Sequence, residues 1–514
     1  MDGYDVVIVG GGTAGCVLAA RLSENPDIST LLLEAGAAES PAGAEVPPAW
    51  PDLLASPANW GDIAFGPTSA AAAIPVARGR VLGGSSAINA MVHIRGHRSS
   101  YDRWPELGAR GWGFDDLLPY LRRIETARGR DPALRGTDGP LLVGPATPPH
   151  PVPAACLDAA EELGYRRAGD ISGGLEEGFG WVDLNIVDGR RQSAVDAYLR
   201  PAMARRNLHV VTGALAHRVL MDRTRCVGVE YSVGTTLSRA AASAEVVLTA
   251  GAIGTPALLM RSGIGPAPAL RPHAVEVVAE LPGVGENLQD HPYAFVIYRP
   301  ARPLPPPMHN HGEALGRLRS APDLDGPDLG ILFVDIPLAP GPESGYTIAA
   351  ALLRPFSRGT VRLAAADPRI APRVDPRYLD DPRDVRALAS GLAVARRIGQ
   401  ASALAPWRAE EVLPGPGVNT DAALRDYATA TMQSYYHPVG TCRIGTDALS
   451  VVDTALRVHG IDRLRIADAS VMPSIVSANT NATVYAIAER AARLIAGQSR
   501  IVIAQDRSDA AQPR

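Results

Sequence analysis

Tyr4-Asp5-Val6-Val7-Ile8-Val9-Gly10-Gly11-Gly12-Thr13-Ala14-Gly15 is the stretch on which the fold turns. The run Tyr4 to Val9 is rich in Val and Ile with little alternation, the pattern of a strand buried on both faces of a parallel sheet. It passes directly into a glycine-rich turn, and Cys16 to Leu22 then carries the small and apolar residues of a helix that packs closely on a sheet. Thr30 to Leu33 reads as a second strand and ends in Glu34, nineteen residues after Gly15. A G-x-G-x-x-G turn alone carries little weight in a chain with 51 glycines. Set between a strand and a helix, and followed after about 20 residues by an acidic group, it reads as a dinucleotide-binding turn. Gly10 permits the tight turn, Gly12 lets the backbone approach a pyrophosphate, and Gly15 admits the helix to the sheet. The helix amino terminus, with Thr13 and Ala14, offers free amide hydrogens to the anion. Glu34, with Ala35 beside it, predicts a bond to an unphosphorylated adenosine ribose, as in FAD or NAD rather than NADP.

Outward from that turn, 514 residues exceed what one compact core accommodates, so two or more packed domains are expected. The 46% hydrophobic content is ample to bury them, which excludes a disordered chain. Basic residues number 50 and acidic ones 54, and a net charge of -4 predicts no attraction to nucleic acid or anionic lipid. Every basic residue is Arg, so neither a Lys Schiff base nor a Lys-bearing phosphate loop is available. Cys16, Cys156, Cys226 and Cys442 lie far apart, and neither a disulfide framework nor a metal site is expected. The first strand begins at Tyr4, leaving no room for a signal segment, and no apolar run of about 18 residues follows. A cytoplasmic chain with no integral membrane segment is the expectation.

Proline- and glycine-rich stretches at Pro145 to Pro153, Pro300 to Pro307 and Pro337 to Pro342 mark long loops or crossings between domains. Arg206 to Val211, Cys226 to Tyr231 and Glu245 to Thr249 read as strands, the last two in the apolar style of the opening. Ser344 to Leu363 is compatible with an antiparallel sheet, and Arg383 to Arg397 has helical spacing. Leu464 to Asp468 reads as a strand and Ala482 to Ala496 as a helix closed by Gly497. Strand, turn and helix thus return after a mixed middle, so the C-terminal segment is expected to rejoin the nucleotide-binding domain.

Several separated segments share one further pattern. Gly79-Arg80-Val81-Leu82-Gly83-Gly84-Ser85-Ser86-Ala87-Ile88-Asn89 resembles the first signature of the glucose-methanol-choline (GMC) oxidoreductases, and Gly251 to Gly265 resembles the second. Leu281 to His291, Tyr436-His437-Pro438-Val439-Gly440-Thr441 and Ala467 to Pro473 complete a resemblance over almost the whole chain. It implies an α/β protein: an FAD-binding, Rossmann-like domain with a discontinuous α+β substrate-binding domain built on an antiparallel sheet. The division it suggests gives 1–150, 191–298 and 433–500 to FAD and 151–190 and 299–432 to substrate, with 501–514 a disordered tail. By the same resemblance Arg80, Val81, Gly83, Gly84 and Ser85 run along the flavin, and Asn89, Ala90, Met91 and Val92 lie beside its ring. Ala216 meets the adenine through its backbone, Ala250 is a further cofactor contact, and Asp468 and Ala469 approach the ribityl and phosphate groups. Ile88 stands where some relatives attach FAD through a His, so non-covalent FAD is expected.

Oxidising an alcohol requires removal of its proton while a hydride leaves the carbinol carbon, and a neutral imidazole suits the first task. Among eleven His, His437 matches the family's catalytic position. Asn479 matches the second active-site position, where an amide hydrogen-bonds the developing alkoxide. Asn cannot take the proton, which leaves His437 as the general base. Asn481 is either a plain helix N-cap or, by resemblance, a flavin contact. His93 is read as a hydrogen-bonded structural residue rather than one facing substrate. Ile63 to Phe65, Met308 to His311 and Phe333 to Ile336 are candidate pocket walls. The resemblance implies a small-molecule alcohol as substrate and oxygen or a redox carrier as acceptor, the bulky Tyr435-Tyr436 pair favouring the carrier. Family members that use FAD otherwise, as hydroxynitrile lyases or light-driven fatty-acid decarboxylases, are the alternative.

Overall fold

The structure, a computed structural model, describes residues 2–67, 73–339 and 343–498. The tail 501–514 and the end of the Pro337 to Pro342 stretch lie outside the described residues. Strand β1 (Asp2–Val9), helix α1 (Thr13–Leu22) and strand β2 (Thr30–Leu33) form the opening unit. β2 lies parallel to β1, with Val6 opposite Thr30 and Val9 opposite Leu33. Leu208–Val211 adds in parallel beyond β2. On the other side of β1 comes the strand Thr236–Leu248, and beyond it Leu464–Ile466, also parallel. The C-terminal segment therefore rejoins the first sheet. Connections leave β1 toward both sides, which opens a crevice at the carboxyl ends of the central strands, below Val9 and Leu33.

Cys226 to Tyr231 does form a strand, within Arg225–Val233, but it belongs to an antiparallel meander with Ala214–Asp222 and the amino half of Thr236–Leu248. Its apolar residues pack one face only, which a short apolar run cannot reveal.

α1 is apolar nearly all round because it is covered twice, by the sheet and by the C-terminal helix Asn481–Gln498. Its single charged residue, Arg21, donates from Nε and NH2 to Glu489 on that helix at 2.9 and 2.8 Å. Tyr198 also donates to Glu489, so this buried carboxylate is well satisfied. The helix continues through Gln498, so Gly497 lies inside it rather than closing it. A glycine there costs the helix only about 1 kcal/mol relative to Ala.

The second sheet is antiparallel throughout. It runs from Arg408–Leu413 through Pro292–Pro300, Tyr346–Leu352, Leu329–Val334 and Ala314–Leu318 to Gly178–Trp181. Alternate residues divide between its faces. Val296, Tyr298, Phe333 and Ile348 pack with helices Pro151–Glu162 and Pro382–Gln400, while Tyr293, Phe295, Ala349 and Ala351 form a second cluster with Leu332 and Tyr435. Two expected boundaries shift accordingly. Position 298 falls inside Pro292–Pro300, which belongs to this sheet from its start, and Gln433–Ser434 pairs with the same strand.

Candidate active site

The opening turn brings α1 close to β1. Gly10 has φ +112°, and a Cβ at Gly15 would lie 1.9 Å from the Gly10 carbonyl oxygen. No side chain caps the amino end of α1 and no acidic residue occupies its first turn, so its free amide hydrogens face an opening suited to an anion. Glu34 sits at the end of β2 with its two oxygens accepting from the Gly11 and Gly36 amides at 2.8 and 2.7 Å. Burial pushes its carboxyl up to about 7, against the pull of those two bonds.

A continuous cavity of about 570 Å³ starts at this turn. Gly10, Gly12, Thr13, Ala14, Glu34, Ala35, Arg80, Gly84, Ser85, Asn89, Ala90, Val92, Ala216, Ala250, Asp468, Ala469 and Asn481 all line it, together with His437 and Asn479. Segments from five regions of the chain thus meet around one elongated space. Bare backbone, an uncapped helix end and an acidic group at one end, with polar side chains at the other, fit an adenine dinucleotide.

Four of the expected cofactor residues do not line the cavity. Gly15 is spent on the helix contact, and Val81 packs in an apolar cluster with Leu53 and Ile88. Gly83, in the left-handed region, donates its amide to the Gly11 carbonyl at 2.7 Å. Met91 is fully buried, with its amide bonded to Asn89 Oδ1 at 3.0 Å. Two that do line it have their side chains engaged elsewhere. Asn89 Oδ1 also accepts from Arg191, and Asp468 accepts from the Ser470 and Gly251 amides and the Ser470 and Thr255 hydroxyls. Asp468 thereby clamps the start of helix Gly251–Arg261 to the strand end that precedes it.

Thr480 provides the carbonyl for the first turn of the C-terminal helix, accepting from Val484 N at 3.0 Å. Asn481 is therefore the first helical residue and not its cap. Its Oδ1 accepts from the Thr13 hydroxyl at 2.9 Å, joining the amino ends of the first and last helices across the cavity. His93 is buried away from the cavity, its Nε2 at 2.7 Å from Glu125 in a charged cluster with Arg95 and Arg135. Of the candidate walls, Asn310, Phe333 and Val334 line the cavity, whereas Ile63, Phe65 and Met308 are exposed.

At the far end, the His437 amide donates to Asp290 Oδ1 at 2.8 Å, and the His291 amide donates to the same oxygen at 2.8 Å. The hydroxyls of Ser434 and Tyr378 donate to Oδ2, so a fully buried carboxylate fixes the backbone of two histidines. Tyr436, just before His437, has φ +64°, an uncommon conformation for an aromatic residue and one that redirects the chain into the cavity. His437 Nδ1 is 2.9 Å from His291 Nδ1, and its Nε2 is 3.2 Å from Asn479 Nδ2. Burial holds the His437 ring well below the usual histidine range, with His291 adding to the effect, so it is neutral at ordinary pH. Tyr435 packs on His437 at 4.3 Å between centroids and stacks on Tyr293 at 5.2 Å. Trp50, Leu332 and Leu338 extend this wall. Tyr293 and the pairing of His291 with His437 escaped the sequence reading, although His291 ends a segment that the family resemblance had marked.

A dinucleotide crevice that ends at a neutral imidazole and an amide is the frame of an oxidoreductase. The chain belongs to the GMC oxidoreductase family, matching its N-terminal part over residues 4–293 and its C-terminal part over residues 355–488. It acts on CH–OH groups, and FAD is the cofactor of the family. The chain is 39% identical to the mitochondrial choline dehydrogenase of Homo sapiens, over 97% of this chain and 90% of that one. It is 35% identical to an oxygen-dependent choline dehydrogenase of Brucella anthropi, over 96% of each. Among solved structures, pyridoxine 4-oxidase from Mesorbium loti superimposes with a TM-score of 0.90 at 36% identity, covering 95% of this chain and 98% of that one. Among the described residues, no helix is long and apolar enough to cross a membrane.

Proposed function

We propose that the protein oxidises an alcohol to an aldehyde or ketone, with His437 as general base and non-covalent FAD as hydride acceptor. The observation that carries this reading is the placement of His437 Nε2 beside the Asn479 amide on the wall of the cavity, where burial holds the ring well below the usual histidine range. His437 Nε2 takes the hydroxyl proton as the carbinol hydride departs, and the Asn479 amide hydrogen-bonds the oxygen while negative charge grows on it. When bound, FAD supplies the two-electron acceptor for that hydride. The amino end of helix Asn481–Gln498, with Asn479, Thr480 and Asn481 on the cavity wall, offers its positive dipole to negative charge formed there. Ile88, buried on the same wall, has no nucleophilic atom with which to bond the flavin.

Tyr293, Tyr435, Trp50, Leu332 and Leu338 favour an alcohol with an apolar or aromatic body. The carboxylates of the lining, Glu34, Asp62 and Asp468, are each engaged with protein donors, Asp62 with Arg78. A choline cation would have aromatic faces alone to rest on. Tyr435 packed over His437 restricts access to the reacting end, which supports a redox carrier rather than oxygen as final acceptor. Anaerobic mixing with a panel of aryl, alkyl and quaternary-ammonium alcohols tests the reading. Bleaching of the flavin band is expected, strongest with uncharged aromatic alcohols and followed by slow recovery in air. A flavin that no alcohol bleaches would remove the proposal and favour non-redox use of FAD.

A further inference from the structure

The pairing of two imidazoles behind the cavity constrains where the protons sit. His291 is fully buried, and its Nε2 lies 3.1 Å from the Leu353 carbonyl oxygen, which can only accept, so Nε2 carries a hydrogen. Burial pulls the ring down to about 3, against the opposing carbonyls of Leu353 and Val476, so His291 is neutral and has a single N–H. Its Nδ1 is then a bare lone pair. The His437 nitrogen 2.9 Å away must supply the hydrogen between them. His437 is therefore protonated on Nδ1 and unprotonated on Nε2, the nitrogen beside Asn479. The rings meet edge to face, 89° apart. The neighbouring side chains of Asp290 and Tyr435 do not compete for these nitrogens. Asp290 is occupied by two backbone amides and the Ser434 and Tyr378 hydroxyls, and the Tyr435 hydroxyl oxygen accepts from Asn479 Nδ2 at 3.5 Å.

We infer that His291 is a positioning residue for catalysis, its Nδ1 lone pair fixing the tautomer and the aim of the His437 ring, with the Leu353 carbonyl as the anchor of the chain. The inference rests on His437 being the base. When His437 Nε2 takes the alcohol proton, the charge of the resulting imidazolium is shared through Nδ1–H to His291. The proton stays on His437 and His291 keeps its own.

Asparagine places an acceptor oxygen near the position of a histidine Nδ1, whereas phenylalanine fills the space without one. In His291→Phe, the limiting rate of anaerobic flavin reduction by a substrate alcohol is expected to fall about 10²-fold with substrate Kd within about threefold. His291→Asn is expected to recover most of that loss, with the flavin band retained in both. Equal losses in the two variants would reduce His291 to packing, and wild-type rates in both, with His437→Ala inactive, would also overturn the inference. Wild-type reduction by His437→Ala would instead remove the base itself. Nuclear magnetic resonance of the wild-type holoenzyme with isotopically labelled histidine gives a readout independent of folding in any variant. A lone-pair nitrogen at His437 Nε2 is expected, and the opposite tautomer overturns the inference.

Discussion

The two ends of the cavity are built by different means. At the nucleotide end, the backbone of one short segment does the work: an uncapped helix end, a turn that only glycine permits, and an acidic group at the end of the neighbouring strand. At the reacting end, side chains converge from segments far apart in sequence, His291 lying 146 positions and Asp290 147 positions before His437. Local geometry fixes the first end and tertiary packing fixes the second. Substitutions at the nucleotide end should therefore act on cofactor retention and stability, and those at the reacting end on rate.

The sharpest separation is expected from His437→Ala, in which anaerobic flavin reduction falls about 10³-fold while the visible absorption of bound FAD persists. Loss of FAD from this variant would erase the distinction. Gly15→Ala should do the reverse. With a Cβ forced to 1.9 Å from the Gly10 carbonyl oxygen, a loss of about 3 kcal/mol is expected, seen as a lower melting temperature and purification with little flavin. Asn479→Ala should slow reduction by about 10²-fold or somewhat less, without loss of FAD, because one donor to the developing alkoxide is gone. Unchanged reduction would separate Asn479 from the chemistry.

The smallest effect concerns pH. Glu34 has a folded value near 7 against an ordinary 4.5, so between those values the folded apoprotein holds a proton that the unfolded chain has released. Its contribution to apoprotein stability is therefore full below about pH 4.5 and is lost as pH rises toward 7. Melting curves of the apoprotein across that window should slope downward more steeply than those of Glu34→Gln, and parallel curves would show that Glu34 is ionised throughout.

The same contrast explains what the sequence revealed. The strand, turn and helix from Tyr4 to Leu22 were legible because apolar runs and glycine spacing are local signals, and the helix after Ala482 was legible for the same reason. His437 and Asn479 emerged through family likeness, since no spacing rule singles them out. Chemistry alone did not pair His291 with His437, and Tyr293 looked like one more residue of an apolar strand. The role of Asp468 was also hidden: its position on the cavity wall was anticipated, but its four protein donors became visible only in the folded chain.

The hydrogen bond from Thr13 to Asn481 spans 468 positions. During synthesis the opening turn emerges more than 400 residues before the strand Leu464–Ile466 and the helix that covers α1. Cofactor capture must then wait until those segments are made, and a nascent product stalled before residue 464 would expose the apolar flank of α1 to chaperones and proteases.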